Sequence, residues 1–272
     1  MTIEELIVYG KKYIHKDQVI LLLSSLLEIN YFDVFKDLNK KLEDDIIEKF
    51  KKLVEGIRNN TPIQYLLGET DFYGYKFKVN ENVLIPRFET EYLVQKAYKL
   101  IKDNFNDNID IVDIGTGSGI IAITLKKLIP QANIAAVDIS KKAIDIAKEN
   151  AKVLNTDITF IEGNMLDPLT KRYDVLISNP PYIPIGDEVD ISTSQEPDIA
   201  LYGGIDGYKF YREIIEKLDK IFKDKILIAF EIGSRQNEEI VKIIKGKYPN
   251  AIIKSEKDLN NLDRYIFAMI KK

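Results

Sequence analysis

Apolar residues in the first quarter of the chain recur at helical spacing. Ile46, Ile47, Phe50, Leu53, Val54 and Ile57 step by one, three and four and draw a single stripe on a helix. Asn59-Asn60-Thr61-Pro62 then breaks it. Thr2-Ile3-Glu4-Glu5 has the form of a capping box, in which a hydroxyl and a carboxylate satisfy amide donors at a helix start. Residues 1–67 are therefore expected to form a small all-helical domain, a bundle packed on itself and suited to grip a partner. Tyr75, Phe77 and Val79 alternate with Lys76, Lys78 and Asn80, as in a half-buried strand, with Asn80-Glu81-Asn82 as its turn. Residues 68–88 thus read as a linker carrying a β-hairpin. Leu93, Val94, Ala97, Tyr98 and Ile101 give the next helix stripe.

From Ile109 onward strands alternate with helices. Strands are expected at 109–114, 134–137, 158–161, 175–177 and 226–230, with two more near 252 and at 265–270. Helices are expected at 118–128, 140–154, 207–218 and 237–244. Such alternation implies an α/β fold, doubly wound, with a mostly parallel sheet between helices over residues 89–272.

Composition narrows the chemistry. With 45% hydrophobic and 30% charged residues, the 272-residue chain can bury a proper core. Its longest apolar stretch, 19–27, is interrupted by Ser24 and Ser25 and is too short for a membrane span. The acidic start lacks the layout of a signal peptide, so a cytoplasmic protein without membrane contact is expected. Cysteine is absent, which removes disulfides, thiolate catalysis and cysteine-based metal sites. His15 is the only histidine and reads as a surface or core residue; triads and metal centres are not expected. A net charge of −4 gives no electrostatic footprint for long nucleic acid.

Two motifs carry candidate chemistry. Asp113-Ile114-Gly115-Thr116-Gly117-Ser118-Gly119 sits where the first strand should meet a helix. Glycines there allow tight turns and close approach of a ligand to helix-start amides. Asp138 ends the next strand, where a carboxylate suits the two hydroxyls of a ribose. The dinucleotide pattern fails because position 120 is Ile, and no Lys follows Gly119 as a triphosphate loop requires. The second motif is Asn179-Pro180-Pro181-Tyr182, directly after a strand. Two prolines make it a rigid exit, placed where open α/β sheets bind ligands. The Asn179 side-chain oxygen and the Pro180 carbonyl offer two acceptors for the N–H groups of a planar nitrogen, and Tyr182 offers a stacking face. Such bonds strengthen as positive charge grows on nitrogen during an in-line displacement.

The D-x-G-x-G-x-G turn resembles the first motif of class I S-adenosylmethionine-dependent methyltransferases. Asn179 to Tyr182 resembles the loop of those that modify planar nitrogen. Further segments do so in order: Pro62 to Gly68, Phe72-Tyr73-Gly74, Leu84 to Glu91, Glu196-Pro197, Ala200 to Gly207 and Glu231-Ile232-Gly233. Together they closely resemble the HemK/PrmC family of release-factor glutamine N5-methyltransferases, with Phe88 where relatives carry a proline. The resemblance implies a seven-stranded methyltransferase sheet and S-adenosyl-L-methionine as cofactor. It places Asp113, Gly115, Thr116, Gly117, Ser118, Gly119, Asp138, Asn164, Met165 and Asn179 around that cofactor. It implies catalysis by Asn179, Pro180 and Tyr182, with Pro181, Arg87 and Glu89 on the substrate side or, for Arg87 and Glu89, in a structural ion pair. The implied substrate is the Gly-Gly-Gln glutamine of class 1 peptide chain release factors, without direct nucleic-acid binding, and the helical domain would dock the factor. The stretch 179–206, about 28 residues without a regular pattern, is expected to fold over the glutamine. Glu196-Pro197 and Gly203-Gly204 within it are open to either substrate contact or turn-making. The rival reading is a nucleic-acid adenine-N6 methyltransferase, which would flip its base into the same pocket. A non-catalytic nucleoside-binding regulator would leave Asn179 to Tyr182 unexplained.

Overall fold

The computed structural model describes every residue except Asp107 and Ser192, the latter within the expected covering loop. Two compact units are present: Met1–Glu69 with Val189–Gln195, and Thr70–Glu188 with Glu196–Lys272.

In the first unit, α1 (Ile3–Gly10), α2 (Lys16–Leu26), α3 (Asp44–Arg58) and α4 (Ile63–Leu67) surround Leu6, Leu22, Leu23, Phe50 and Val54. The capping box forms, with the Glu5 amide donating to Thr2 Oγ1 at 3.2 Å and the Thr2 amide to Glu5 Oε2 at 2.9 Å. Gly10 permits close helix packing, since a Cβ there would stand 2.8 Å from Val19. His15 is exposed and flanks the start of α2.

The second unit opens with a hairpin of β1 (Glu69–Phe72) and β2 (Tyr75–Lys78). Its turn is Tyr73-Gly74, both at positive φ, as a two-residue hairpin turn requires. Asn80 to Asn82, expected as that turn, instead forms an Asx turn leaving β2, with the Asn82 amide on Asn80 Oδ1 at 3.0 Å. A tyrosine at a left-handed turn position concealed the true reversal from a reading based on turn composition.

Then follow α5 (Phe88–Asn104), β3 (Asp110–Ile114), α6 (Ile120–Leu128), β4 (Asn133–Asp138), α7 (Lys141–Val153), β5 (Thr159–Glu162) and β6 (Tyr173–Ser178). A short α8 (Asp198–Leu201) precedes α9 (Lys209–Lys217), β7 (Phe222–Glu231), α10 (Asn237–Lys247), β8 (Ile252–Lys257) and β9 (Asp263–Lys271). The seven strands run in the order β5-β4-β3-β6-β7-β9-β8, with β9 antiparallel to both neighbours and the other pairs parallel. Alternate residues face opposite layers. Ile111, Val175, Ile177, Leu227 and Phe267 meet one core with α5 and α6, while Val112, Leu176, Ile228 and Ile266 meet another with α9 and α10. Such a strand reads as a nearly unbroken apolar run because both faces are covered. β6 and β7 extend beyond the expected 175–177 and 226–230, since their outer residues pair with neighbours despite weaker patterning.

The register positions the site. Ile114 pairs with Val137 on one side and Ser178 on the other. The residues that follow each leave the sheet together at one edge. Asn150, buried on α7, ties this edge to the hairpin: it accepts from the Lys78 amide at 2.7 Å and donates to the Lys78 and Ser118 carbonyls at 3.0 and 2.9 Å. Asn150→Ala orphans all three groups and is expected to cost on the order of 3 kcal/mol in urea unfolding. A loss within the ordinary scatter of surface substitutions would show the clamp to be idle.

Candidate active site

Gly115, Gly117 and Gly119 adopt φ of +71°, +54° and +84°, which delays α6 to Ile120 instead of the expected start at 118. The Gly115 and Thr116 amides both donate to the Val137 carbonyl, at 2.9 and 3.0 Å, and latch the turn onto β4. Asp113 lies fully buried and accepts the Thr116 hydroxyl at 2.6 Å. The glycines then divide by role. A Cβ on Gly119 would press Ile123 and Ala147 at 3.0–3.1 Å, whereas Gly115 and Gly117 face open space. Those two line a cavity; Asp113, Thr116, Ser118 and Gly119 build the turn from behind and do not.

Asp138 lines the same cavity from the end of β4. Its Oδ2 accepts from the Gly117 amide and its Oδ1 from the Ser140 amide, each at 2.9 Å. Burial pushes its pKa up, and the Ser140, Gly117 and Ile139 amides pull it back. With three amides directed at it, the carboxylate still keeps acceptor capacity for an outside donor. The Gly163 amide donates to the Asp138 carbonyl at 2.9 Å, which brings Asn164 and Met165 to the wall. Met165 sits at φ +46°, an uncommon backbone for a side chain of that size. Ile139, Lys209 and Phe210 also line it, as do Leu84, Ile199 and Ala200 among others. The sequence assigned none of these a place on the cavity, because only the fold brings segments near 84, 139, 199 and 209 together. A carboxylate at the strand end, apolar walls and side-chain-free backbone at Gly115 and Gly117 make a cavity that suits a nucleoside ligand such as S-adenosylmethionine.

Asn179 lines the cavity where β6 ends. Behind it, Asn179 Nδ2 donates to Thr90 Oγ1 at 3.3 Å, and the Thr90 hydroxyl donates to Glu231 Oε2 at 2.8 Å. Glu231 is buried at the end of β7, and its pKa rises to about 7. Burial causes the rise; the Thr90 hydroxyl, Arg264 and Asn179 oppose it, and Glu89 adds to it. Thr90 and Glu231 appeared in the sequence only as parts of recurring segments, with no role attached. The Tyr182 ring backs onto Gly233, where a Cβ would stand 3.3 Å from it, and Gln236 Nε2 holds the Tyr182 carbonyl at 2.9 Å. Pro181 reaches the cavity wall, while Pro180 and Tyr182 lie outside it.

Farther along the loop, Ile199 and Ala200 also line the cavity, and other positions are taken up by packing. Gly203 and Gly207 leave no room for a Cβ against the Pro181 and Tyr182 carbonyls. Glu196 is buried, pairs with Arg87 and accepts the Ile85 amide at 2.9 Å. Arg87 thereby makes an ion pair and is not on the cavity wall. Glu89 also stays off that wall, its carbonyl accepting from Tyr265 at 2.8 Å. Phe88 opens α5 at 67% exposure, so the departure from proline disturbs no packing.

Burying Asp113 has a thermodynamic signature. Burial raises its pKa to about 7, against the Thr116 hydroxyl and the Ala122 amide, with Asp138 adding to the rise. The native state then binds a proton that the unfolded chain has released, so stability falls as pH rises from about 4 to 7. The carboxylates whose pKa is lowered, Asp206 and Asp258 among them, act below that window. Buried Glu231 acts in the same window, so thermal midpoints between pH 5 and 7.5 are expected to decline and Asp113→Asn to make the decline shallower without abolishing it. An unchanged slope would contradict the assignment.

The family model "Methyltransferase small domain" matches residues 90–196. A release factor glutamine methyltransferase from Bacillus cereus is 38% identical over 255 residues, covering 91% of this chain and 90% of that protein. One from Bacillus anthracis is 41% identical over 243 residues, covering 87% and 84%. Among solved structures, the Thermus thermophilus 16S rRNA N2 G1207 methyltransferase in complex with AdoMet and guanosine superposes with a TM-score of 0.54. It is 13% identical and covers 75% of this chain and 49% of that one, a likeness of fold. With this identity along nearly its whole length, the chain belongs to the release factor glutamine methyltransferase family.

Proposed function

We propose that this protein transfers a methyl group from S-adenosyl-L-methionine to the side-chain nitrogen, N5, of the glutamine in the Gly-Gly-Gln motif of class 1 peptide chain release factors. The observation that carries the reading is the setting of Asn179, on the cofactor cavity with its own NH2 turned back onto Thr90. The cofactor, when bound, supplies an electrophilic methyl on a sulfonium. A carboxamide nitrogen is a poor nucleophile because its lone pair is shared with the carbonyl. Asn179 Oδ1 and the Pro180 carbonyl accept its two N–H groups, and those bonds strengthen as the nitrogen becomes positive. The nitrogen exchanges one hydrogen for the methyl, and that proton passes to water. Tyr182, seated by Gly233 and Gln236, offers a flat face to the planar amide.

The four helices of the first unit serve to dock the factor, and a cytoplasmic place goes with that substrate. No helix among the described residues is long and apolar enough to cross a membrane. The net charge of −4 speaks against a nucleic-acid substrate.

Mass spectrometry of a purified class 1 release factor after incubation with enzyme and cofactor is expected to show about 14 Da added at the glutamine. An unmodified factor together with tight, salt-sensitive binding to DNA or RNA would turn the reading toward adenine. Asn179→Ala is expected to lower kcat by about 10²–10³-fold while calorimetry shows cofactor affinity nearly intact. Asp138→Ala is expected to weaken cofactor binding by about 10–100-fold. Equal loss of cofactor affinity in both variants would overturn this division of roles.

A further inference from the structure

We propose that Glu231 is a positioning residue which, as a carboxylate, sets the direction of the hydrogen-bond chain through Thr90 and thereby aims the Asn179 carbonyl oxygen at the substrate amide. The proposal rests on the reading of the site as a glutamine N-methyltransferase. It assigns a task to two residues that do not line the cavity.

The protons available fix the direction of the chain. Glu231 as a carboxylate can only accept, so the Thr90 hydroxyl must spend its single proton on Oε2 at 2.8 Å. Thr90 Oγ1 is left with lone pairs alone toward Asn179, 3.3 Å away. The Asn179 atom facing it must therefore be the NH2 group, and the close approach of that group to Glu231 acts in the same sense. The carbonyl oxygen then points the other way. If Glu231 carries a proton, the chain can reverse: Glu231 donates to Thr90, Thr90 donates onward, and Asn179 can present its oxygen inward and its NH2 to the pocket. A flipped Asn179 offers donors to a substrate amide that also needs acceptors for its N–H groups, which is repulsive where the reaction needs attraction.

The surroundings keep this switch isolated. Glu231 is 2% exposed and is faced by Thr90 and Glu89 of α5, Asn179 and Tyr182 beyond β6, Tyr211 of α9, and Arg264 and Tyr265 of β9. Arg264 favours the carboxylate and Glu89 opposes it, while burial pushes the pKa to about 7. The Tyr211 hydroxyl is occupied by the Glu231 carbonyl at 2.8 Å, so Thr90 is the hydroxyl that reads the carboxylate.

Glu231→Gln keeps the shape and lets the side chain donate. At saturating cofactor, with a class 1 release factor as substrate, kcat is expected to drop by about 10²-fold, with KM and the calorimetric cofactor affinity little changed. Wild-type kcat is expected to fall as pH is lowered through about 7, and the variant's to be flat there. Thr90→Val is expected to lose kcat comparably, Thr90→Ser to recover most of it, and Glu231→Gln added to Thr90→Val to cost less than it does alone, because only the direct approach of the Asn179 NH2 to Glu231 then remains. Independently of turnover, the Asn179 side-chain NH2 resonances of nitrogen-15-labelled protein are expected to titrate near pH 7 in wild type and not in Glu231→Gln. A variant with wild-type kcat and pH profile, or Asn179 resonances blind to Glu231, overturns the proposal. A wild-type enzyme that leaves the release factor unmodified would count against the substrate reading, and the Asn179 titration would still decide the role of Glu231.

Discussion

Parallel pairing of β3 with β4 and β6 is the constraint from which the site follows. The register aligns Ile114, Val137 and Ser178, so the next residues of three strands emerge at one line. The glycine turn, Asp138 with Ile139, and Asn179 with its prolines are those residues. Nothing about their separate sequences would bring them within reach of one ligand. The pairing does, and the Val137 carbonyl fastens the turn by accepting two of its amides. Open parallel sheets bind at this edge because helix starts and strand ends meet there, with backbone donors not yet spent on regular structure.

The same edge carries three carboxyls with raised pKa values, Asp113, Asp138 and Glu231. Each is desolvated, and each is answered by a small number of fixed donors instead of a dedicated counter-ion. For Asp113 the answer is the Thr116 hydroxyl and the Ala122 amide, and its Oδ1 makes no hydrogen bond. The energetic cost is borne by an apolar sheet buried on both faces, from Ile111 and Val112 through Ile266 and Phe267. What it sustains is a set of acceptors whose directions do not relax when a ligand arrives, the condition under which a few hydrogen bonds can favour a transition state over a ground state.

Much of the architecture could be read from the chain. Alternation of apolar runs with helical stripes implied the layered sheet, and the chain pattern located each of the seven strands. The capping box at Thr2 and the helical stripe ending before Asn59 were legible for the same reason: each depends on residues close in sequence. The hairpin turn was misplaced because Tyr73 takes a left-handed conformation that its side chain does not advertise. The start of α6 was placed two residues early because periodicity does not register glycines whose φ keeps them out of a helix.

Within the site, residue type and local spacing determined which chemistry was on offer: a carboxylate at a strand end, glycines at a turn, an amide acceptor held between a strand and two prolines. These are short-range features, dictated by what a few neighbouring residues can do. Only the tertiary structure decided how the work is divided. It withdrew Asp113, Thr116, Ser118 and Gly119 from the cavity wall, committed Arg87 to Glu196, and brought Lys209 and Phe210 in. It also linked Thr90, Asn179 and Glu231. Their hydrogen bonds span 89 and 141 positions of chain, and the direction of such a bond depends on burial and on the protons its partners hold. No pattern along the sequence contains that information, because it arises only when distant segments exclude water from one another.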